Sequence, residues 1–281
     1  MYTNIGKVIF ASAGPGDPEL ITMKAATRLQ RAEVVLVDRL VSPELLERRV
    51  NPLAEIISVG KKSHCHNSMP QEKINALMAR YALEGRYIVR LKGGDLSIFS
   101  NLLDELNALV KHGIPYEIIP GVTAASGAAA YSGIPLTARG YSSGVRFLTF
   151  YQTQAIDEAP WNELARTDDT LVFYMSVQKI EAIVERLLEH GIDSEKRLMI
   201  FEQATTPMQR VYSSPLHAYH EKIRSQELLT PSLLIVGKVV ALHESFQWLP
   251  DNNSGKNYFN DLMDPSLSSF EKPYQSKQYV G

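Results

Sequence analysis

The first half of the chain alternates short, solidly apolar runs with longer stretches whose apolar residues recur every three or four positions. Residues 8–11, 34–37, 55–59, 88–91 and 116–119 are rich in Val, Ile, Leu, Phe or Ala and close on turn or charged residues, which predicts compact buried strands. Between them the period lengthens. Ile74, Leu77, Met78 and Tyr81 fall at i, i+3, i+4 and i+7, one face of a helix that opens at Pro70-Gln71 and ends at Gly85. Leu102, Leu103, Leu106, Leu109 and Val110 stripe another, terminated by Gly113. Asp17 predicts an N-cap with Pro18 at the first helical position, for a helix running to about residue 31 that buries Leu20, Met23, Ala26 or Thr27, and Leu29. Residues 123–132 are mostly Ala, Ser and Gly, a composition that lets a helix pack very closely. Strands alternating with helices predict βα units and a largely parallel sheet.

The stretch 134–141, Ile-Pro-Leu-Thr-Ala-Arg-Gly-Tyr, breaks this period and marks a domain boundary. Beyond it, residues 146–151, 170–175, 198–201 and 232–240 read as strands, and 177–190 and 216–225 as helices. The fold class is therefore α/β, with an N-terminal α/β domain over 1–141 and a second over 142–250 that has more antiparallel pairing. Residues 251–281 form a polar tail, beginning with a linker-like Asp-Asn-Asn-Ser-Gly-Lys. Its scattered aromatics suit either a disordered segment or one draped over a partner.

Composition narrows the class. The chain has 281 residues, 44% of them hydrophobic, which is enough apolar mass for two cores. A net charge of -2 argues against general binding to nucleic acid or to an anionic membrane surface. The single cysteine, Cys65, excludes an internal disulfide and fits a reducing compartment. No apolar segment is long enough to span a bilayer, and the run after Lys7 is too short for a signal peptide, so a cytoplasmic protein is expected.

Three of the apolar runs end in glycine-bearing loops of similar form: Gly14-Pro15-Gly16-Asp17-Pro18, Gly93-Gly94-Asp95 and Gly121-Val122-Thr123. A lone Gly-Gly is as readily a hairpin turn. Repeated at three strand ends, it reads as backbone brought close to a ligand. Gly14-Pro15-Gly16 followed by Asp38 at the next strand end suggests a dinucleotide site, but Glu19 occupies the place of the third glycine and Pro15 removes an N–H. A ligand with an adenosine-like head group and no pyrophosphate fits better. Arg39, Lys61, Lys62, Arg90, Lys92 and Arg139 lie at or just past predicted strand ends, which favours an anionic, polycarboxylate substrate. His64, Cys65 and His66, and His217 with His220, lack the further ligands of a convincing metal site, so none is expected.

With these residues assembled, the chain resembles the tetrapyrrole methylases from about residue 8 to 249. The resemblance rests on the ordered series AGPGDPELIT, VLVDRLVSPE, VGK, PQEKINALM, VRLKGGD, IPGVTAA, YSGIPLTARGY, LVFYM and QATTPMQRV. It implies two α/β domains with S-adenosyl-L-methionine in the cleft between them, S-adenosyl-L-homocysteine as the spent product, and a homodimer. It also implies two successive methylations of uroporphyrinogen III at ring carbons to give precorrin-2. Carried over by position, it places Pro15, Gly93, Gly94, Asp95, Ile98, Thr123, Ala124, Met175 and Ala204 against the cofactor. It makes Asp38 and Lys61 the proton acceptor and donor, counts Arg90 with them among the catalytic residues as a substrate-handling arginine, and puts Arg39 and Arg139 on the acidic substrate. Ala204 stands where the family usually has glycine. After Gly-Gly-Asp this chain reads Leu96 to Glu105 where the family has a glycine-rich, basic turn; Asn101 replaces the basic residue, and regular helix is expected there. The Gly-His after the first strand of the second domain is missing too, with Tyr151-Gln152 nearby. Two rival activities follow: a methylase of the same fold acting on a later corrin intermediate or a protein side chain, and a non-catalytic module that only binds S-adenosylmethionine.

Overall fold

The computed structural model describes residues 5–60, 69–150, 158–252 and 255–259. Lys61, Lys62, His64, Cys65, His66, Tyr151, Gln152 and the tail from 260 on lie outside the described residues. The first sheet contains β1 (Lys7–Ser12), β2 (Val34–Val37), β3 (Glu55–Ser58), β4 (Tyr87–Lys92) and β5 (Tyr116–Ile119), in the order β3-β2-β4-β1-β5. Every neighbouring pair is parallel. The unbroken apolar runs have a simple cause: helices cover both faces, so alternate residues are buried on opposite sides. Ile9, Ala11, Val35, Val37, Val89 and Leu91 face α1 (Met23–Leu29) and α2 (Pro43–Arg49). Val8, Phe10, Val34, Leu36 and Ile88 face α3 (Gln71–Leu83) and α4 (Leu102–Lys111).

Local chemistry corrects several expected boundaries. The helix expected from Pro18 is broken in two. Asp17 Oδ1 accepts from Glu19 N–H at 2.7 Å and caps only a 3₁₀ turn, Pro18–Leu20. Thr22 Oγ1 then accepts from Ala25 N–H at 3.2 Å and starts α1 afresh, which turns Met23 to solvent at 89% exposure. Ser42 caps α2, a helix the periodicity did not show. On α4 the expected stripe is too wide, since Leu109 is buried while Leu103 and Val110 are exposed.

The second sheet contains β6 (Val145–Thr149), β7 (Thr170–Tyr174), β8 (Arg197–Glu202), β9 (Arg210–Pro215) and β10 (Ser232–Gly237), in the order β6-β7-β10-β8-β9. Only β6 and β7 pair in parallel. β9 was not expected, because Arg-Val-Tyr-Ser-Ser-Pro lacks an apolar run. The strand expected over 232–240 ends at Gly237, where a 3₁₀ turn begins. One face packs α6 (Glu158–Arg166) and α7 (Ile180–Glu189) around Trp161, Ile183 and Leu187. The other face receives α5 (Ala124–Tyr131), which leaves the end of β5 and lays Ala125, Ala128 and Ala129 on Val172, Met199, Phe201 and Ile235. The small-residue helix thus joins the two units. No helix among the described residues is long and apolar enough to cross a membrane.

Candidate active site

A parallel sheet delivers the loops that follow its strands to one edge, and β1 to β5 do so here. The loops after β1 and β4 exchange two backbone bonds, Gly14 N–H to Gly94 O at 3.2 Å and Gly94 N–H to Gly14 O at 2.7 Å. Gly14 and Gly94 hold φ of 79° and 67°, which side chains adopt only under strain. Gly93 answers to a different need, since a Cβ there would lie 2.6 Å from Leu40 O. Asp95 joins the third loop to the second. Its Oδ2 accepts from Gly121 N–H at 2.7 Å, and its Oδ1 accepts from Ser97 N–H at 2.8 Å and from the Ser97 hydroxyl. The carboxylate expected to meet a ligand is therefore the buried knot of the rim.

In the second sheet β10 runs against both β7 and β8, so those two strands point the same way and end at one edge. That edge meets the first rim. Asp17 N–H donates to Thr205 Oγ1 at 3.2 Å, and a Cβ on Gly16 would lie 2.6 Å from Thr206 Cγ2. Tyr174 Oη bonds Thr123 Oγ1 at 2.7 Å and accepts from Ala125 N–H at 3.2 Å, while its ring lies 5.2 Å from that of Phe99. Burial raises the Tyr174 phenol above its ordinary range, so it stays a protonated hydrogen-bonding group.

Backbone strain gathers at this meeting point. Among the described residues, the non-glycine residues at positive φ are Phe99 (49°), Asn101 (55°), Met175 (53°), Gln203 (49°) and Thr205 (64°). All belong to loops that face the cleft, and conformations of this kind persist where surrounding contacts over-determine them. The expected helix after Asp95 is corrected by two of them: residues 96–101 form turns, and α4 begins only at Leu102. The turn is made with Phe99 and Asn101 at positive φ, without a glycine between residues 96 and 101.

The expected site residues separate into groups. Pro15, Gly93, Gly94, Asp95, Ile98, Thr123, Met175 and Ala204 stand on these meeting loops, and Ala124 opens α5 beside them. Asp38 and Arg39, both half-buried, follow β2 on the same edge; Asp38 Oδ1 accepts from Arg39 N–H at 3.1 Å, which fixes the carboxylate. Gly60 closes against them, since its Cβ would lie 2.5 Å from Arg39 N. Arg90 does not reach the rim. The alternation of β4 turns it and Lys92 toward α4, where Arg90 Nε and Lys92 Nζ each lie 3.1 Å from the fully buried Glu105. Burial, and then Arg90, lower the Lys92 pKa, while Glu105 and Asp38 act in the other direction. Arg139 lies in an exposed turn before β6, at the end of the second sheet opposite Met175, and lines an open cavity of about 590 Å³ with Asp168 and Lys238. The convergence of six cations reduces, among the described residues, to Arg39. Tyr174 and Thr205 went unnoticed in the sequence; the sole trace of Tyr174 is a hydroxyl closing an apolar strand.

The cleft suits a compact polar ligand. A Cβ built on Gly94 meets nothing nearer than Ala124 N at 4.0 Å, so the space beside it is open. The first turn of α5, whose amides carry partial positive charge, looks onto that space, and Thr123 makes no side-chain cap there.

The family model for Tetrapyrrole (Corrin/Porphyrin) Methylases matches residues 7–219. A siroheme synthase of Acinetobacter baylyi is 45% identical over 246 residues, 87% of this chain and 53% of the relative. The chain thus spans about half the length of the curated relatives it matches. The native uroporphyrin III C-methyl transferase of Thermus thermophilus superposes with a TM-score of 0.68 at 36% identity, over 84% of this chain and 100% of its own. The enzyme from that organism complexed with S-adenosyl homocysteine gives 0.69 at 34%, over 84% and 94%. On this match, and on the glycine-built cleft between two α/β units, the chain belongs to the tetrapyrrole methylases.

Proposed function

We propose that this chain catalyses the S-adenosylmethionine-dependent methylation of uroporphyrinogen III at two ring carbons, giving precorrin-2 for siroheme or cobalamin synthesis. The observation that carries the reading is the cleft itself, where glycine loops and strained loops from both sheets meet. The Thermus enzyme solved with S-adenosyl homocysteine, and the siroheme synthases, support the choice of donor and pathway. The donor supplies an electrophilic methyl group. Pro15, Gly93, Gly94, Ile98, Thr123, Ala124, Met175 and Ala204 hold it, with Asp95 fixing the loops around it. A pyrrole carbon is already nucleophilic, so the protein acts mainly by alignment, which lowers such barriers by up to about 7–11 kcal/mol. Each methyl leaves the sulfonium as an electrophile and puts one positive charge on the ring. Asp38 would take one ring proton per methyl added and so restore neutrality, Lys61 would neutralise charge elsewhere on the macrocycle, and Arg39 would pair with its carboxylates. Arg90 and Lys92 stiffen the strand end from below.

The test is incubation of the purified chain with S-adenosylmethionine and uroporphyrinogen III. A product heavier by two methyl groups is expected, and no mass gain overturns the activity. Asp38→Asn should lower kcat by about 10²–10⁴-fold with donor affinity kept. A second reading, a module that binds the donor without turnover, draws on Asn101 and on the burial of Arg90; it predicts calorimetric binding with no product. The family implies a homodimer, and exposed Leu103 and Val110 on α4 offer apolar surface for one. Light scattering that finds only monomer would remove that proposal.

A further inference from the structure

We propose that residues 256–259 are an interdomain strap, and that Tyr258 is a positioning residue which sets the cleft through Ser42 and Gln203. The segment lies beyond residue 219, where the family match ends. It is gripped from the second domain by one side chain. Gln203 Oε1 accepts from Tyr258 N–H at 2.6 Å, and Gln203 Nε2 donates to Lys256 O at 2.9 Å. Gln203 is itself 1% exposed and strained at φ 49°, and it immediately precedes Ala204 and Thr205, the residue whose hydroxyl accepts from Asp17 N–H. The chain reaches this point along the same loop, with Asn252 N–H donating to Gln209 O at 3.0 Å and Asn252 Nδ2 to Pro207 O at 2.7 Å.

From there the strap crosses to the first domain. Tyr258 Oη lies 2.7 Å from Ser42 Oγ, and Phe259 is 3% exposed. Ser42 is buried, caps α2, and ends the loop that starts at Asp38, where Val41 N–H donates to Asp38 O at 3.3 Å. One short segment therefore fastens the loop of the proposed base to the loop of the proposed donor contacts. It is hydrogen-bonded to both domains through Lys256 O, the Tyr258 N–H and the Tyr258 hydroxyl, and its aromatic end is buried, which marks a fixed contact and not a loose end. The effect on methylation rests on the function proposed above; the effect on the loops does not.

The experiment uses the full chain with Tyr258→Phe, which keeps the ring and removes only the hydroxyl, and with Phe259→Ala. The readouts are S-adenosyl-L-homocysteine affinity by calorimetry, amide exchange at 38–42 and 203–206, and kcat against KM. Loss of one neutral hydrogen bond predicts about a two- to tenfold rise in Kd for Tyr258→Phe, and Phe259→Ala should do more. Both loops should exchange faster while the core strands do not. In a Ser42→Ala background, Tyr258→Phe should add nothing further. Unchanged exchange in both loops for both variants overturns the strap, as does full additivity with Ser42→Ala. Faster turnover with unchanged Kd also overturns it, since the segment would then be a cover. If the parent chain binds no S-adenosyl-L-homocysteine, the proposed function fails, and the exchange data still decide the strap.

Discussion

The two rims that meet at the cleft are built by opposite means. The rim of the parallel sheet takes the turns at its centre with Gly14 and Gly94, leaves only Phe99 and Asn101 strained further along the loop after β4, and ties its loops through one carboxylate, Asp95. The rim of the mixed sheet takes equivalent turns with Met175, Gln203 and Thr205. It holds them by bonds from neighbours: Gln203 N–H to Pro231 O at 2.8 Å, Thr205 N–H to Gln209 Oε1 at 2.7 Å and the Thr206 hydroxyl to Gln203 O at 2.8 Å. Glycine places its penalty in the entropy of the unfolded chain, whereas the other rim stores it as strain in the folded one. A methyl group should therefore damage the first rim, and the removal of a side chain should ease the second.

The largest expected effect lies beneath the first rim. Glu105 is the shared counter-charge of Arg90 and Lys92, and all three are buried. Glu105→Gln leaves two buried cations without their counter-charge and should lower stability by about 3–5 kcal/mol, seen as a fall in the urea midpoint. A midpoint within error of the parent would show that the rim does not depend on this cluster. Next come the glycines. Gly93→Ala forces a Cβ against Leu40 O at 2.6 Å and should lose about 1–3 kcal/mol by overpacking. Gly94→Ala has open space but the wrong φ, and should lose about 1–2 kcal/mol. Equal losses in a variant placed at Gly113, also open and at φ 64°, would show that the cleft adds nothing special.

These pairs also show what the sequence could and could not carry. The strands of the parallel sheet were legible because two-sided burial makes each one a solid apolar run, as Val34 to Val37 shows. β9 was not, since Arg210 to Pro215 pairs on one side only and is mostly half-buried, with no solid apolar run. The glycine rim announced itself through residue type. Its counterpart did not, because Gln203 and Thr205 hold their φ through contacts that only the fold supplies. Arg90 and Arg139 show what strand-end position alone leaves open: side-chain alternation buries one beneath the rim, and sheet direction places the other at the far end of the second sheet.

A smaller effect tests the second rim. Met175 is 57% exposed, so Met175→Gly forfeits little burial while releasing the strain of φ 53°. Strain relief of about 1–3 kcal/mol set against about 0.5–1 for glycine's entropy predicts a neutral to modestly stabilised fold, with weaker donor binding. A clear loss of stability would mean that the second rim is not strained and that the contrast with Gly94→Ala is illusory.

The smallest effect lies away from both rims and separates the sheet's rim chemistry from its surface charge. On β5, Glu117 meets Lys24 at 2.8 Å, Lys7 at 3.0 Å and Arg28 at 3.1 Å, and these cations hold its carboxyl down from 4.5 to about 2. A depressed carboxyl contributes stability that is whole above its unfolded pKa and is lost as pH falls through the folded one. The parent should therefore lose stability more steeply than Glu117→Gln between about pH 4.5 and 2, with the two converging at the acid end. Because Lys24 and Lys7 are solvent-exposed, added salt should shrink the difference. Parallel urea midpoints across that window would show that the cluster is only a solvated surface, leaving the buried Glu105 as the charge on which the first sheet relies.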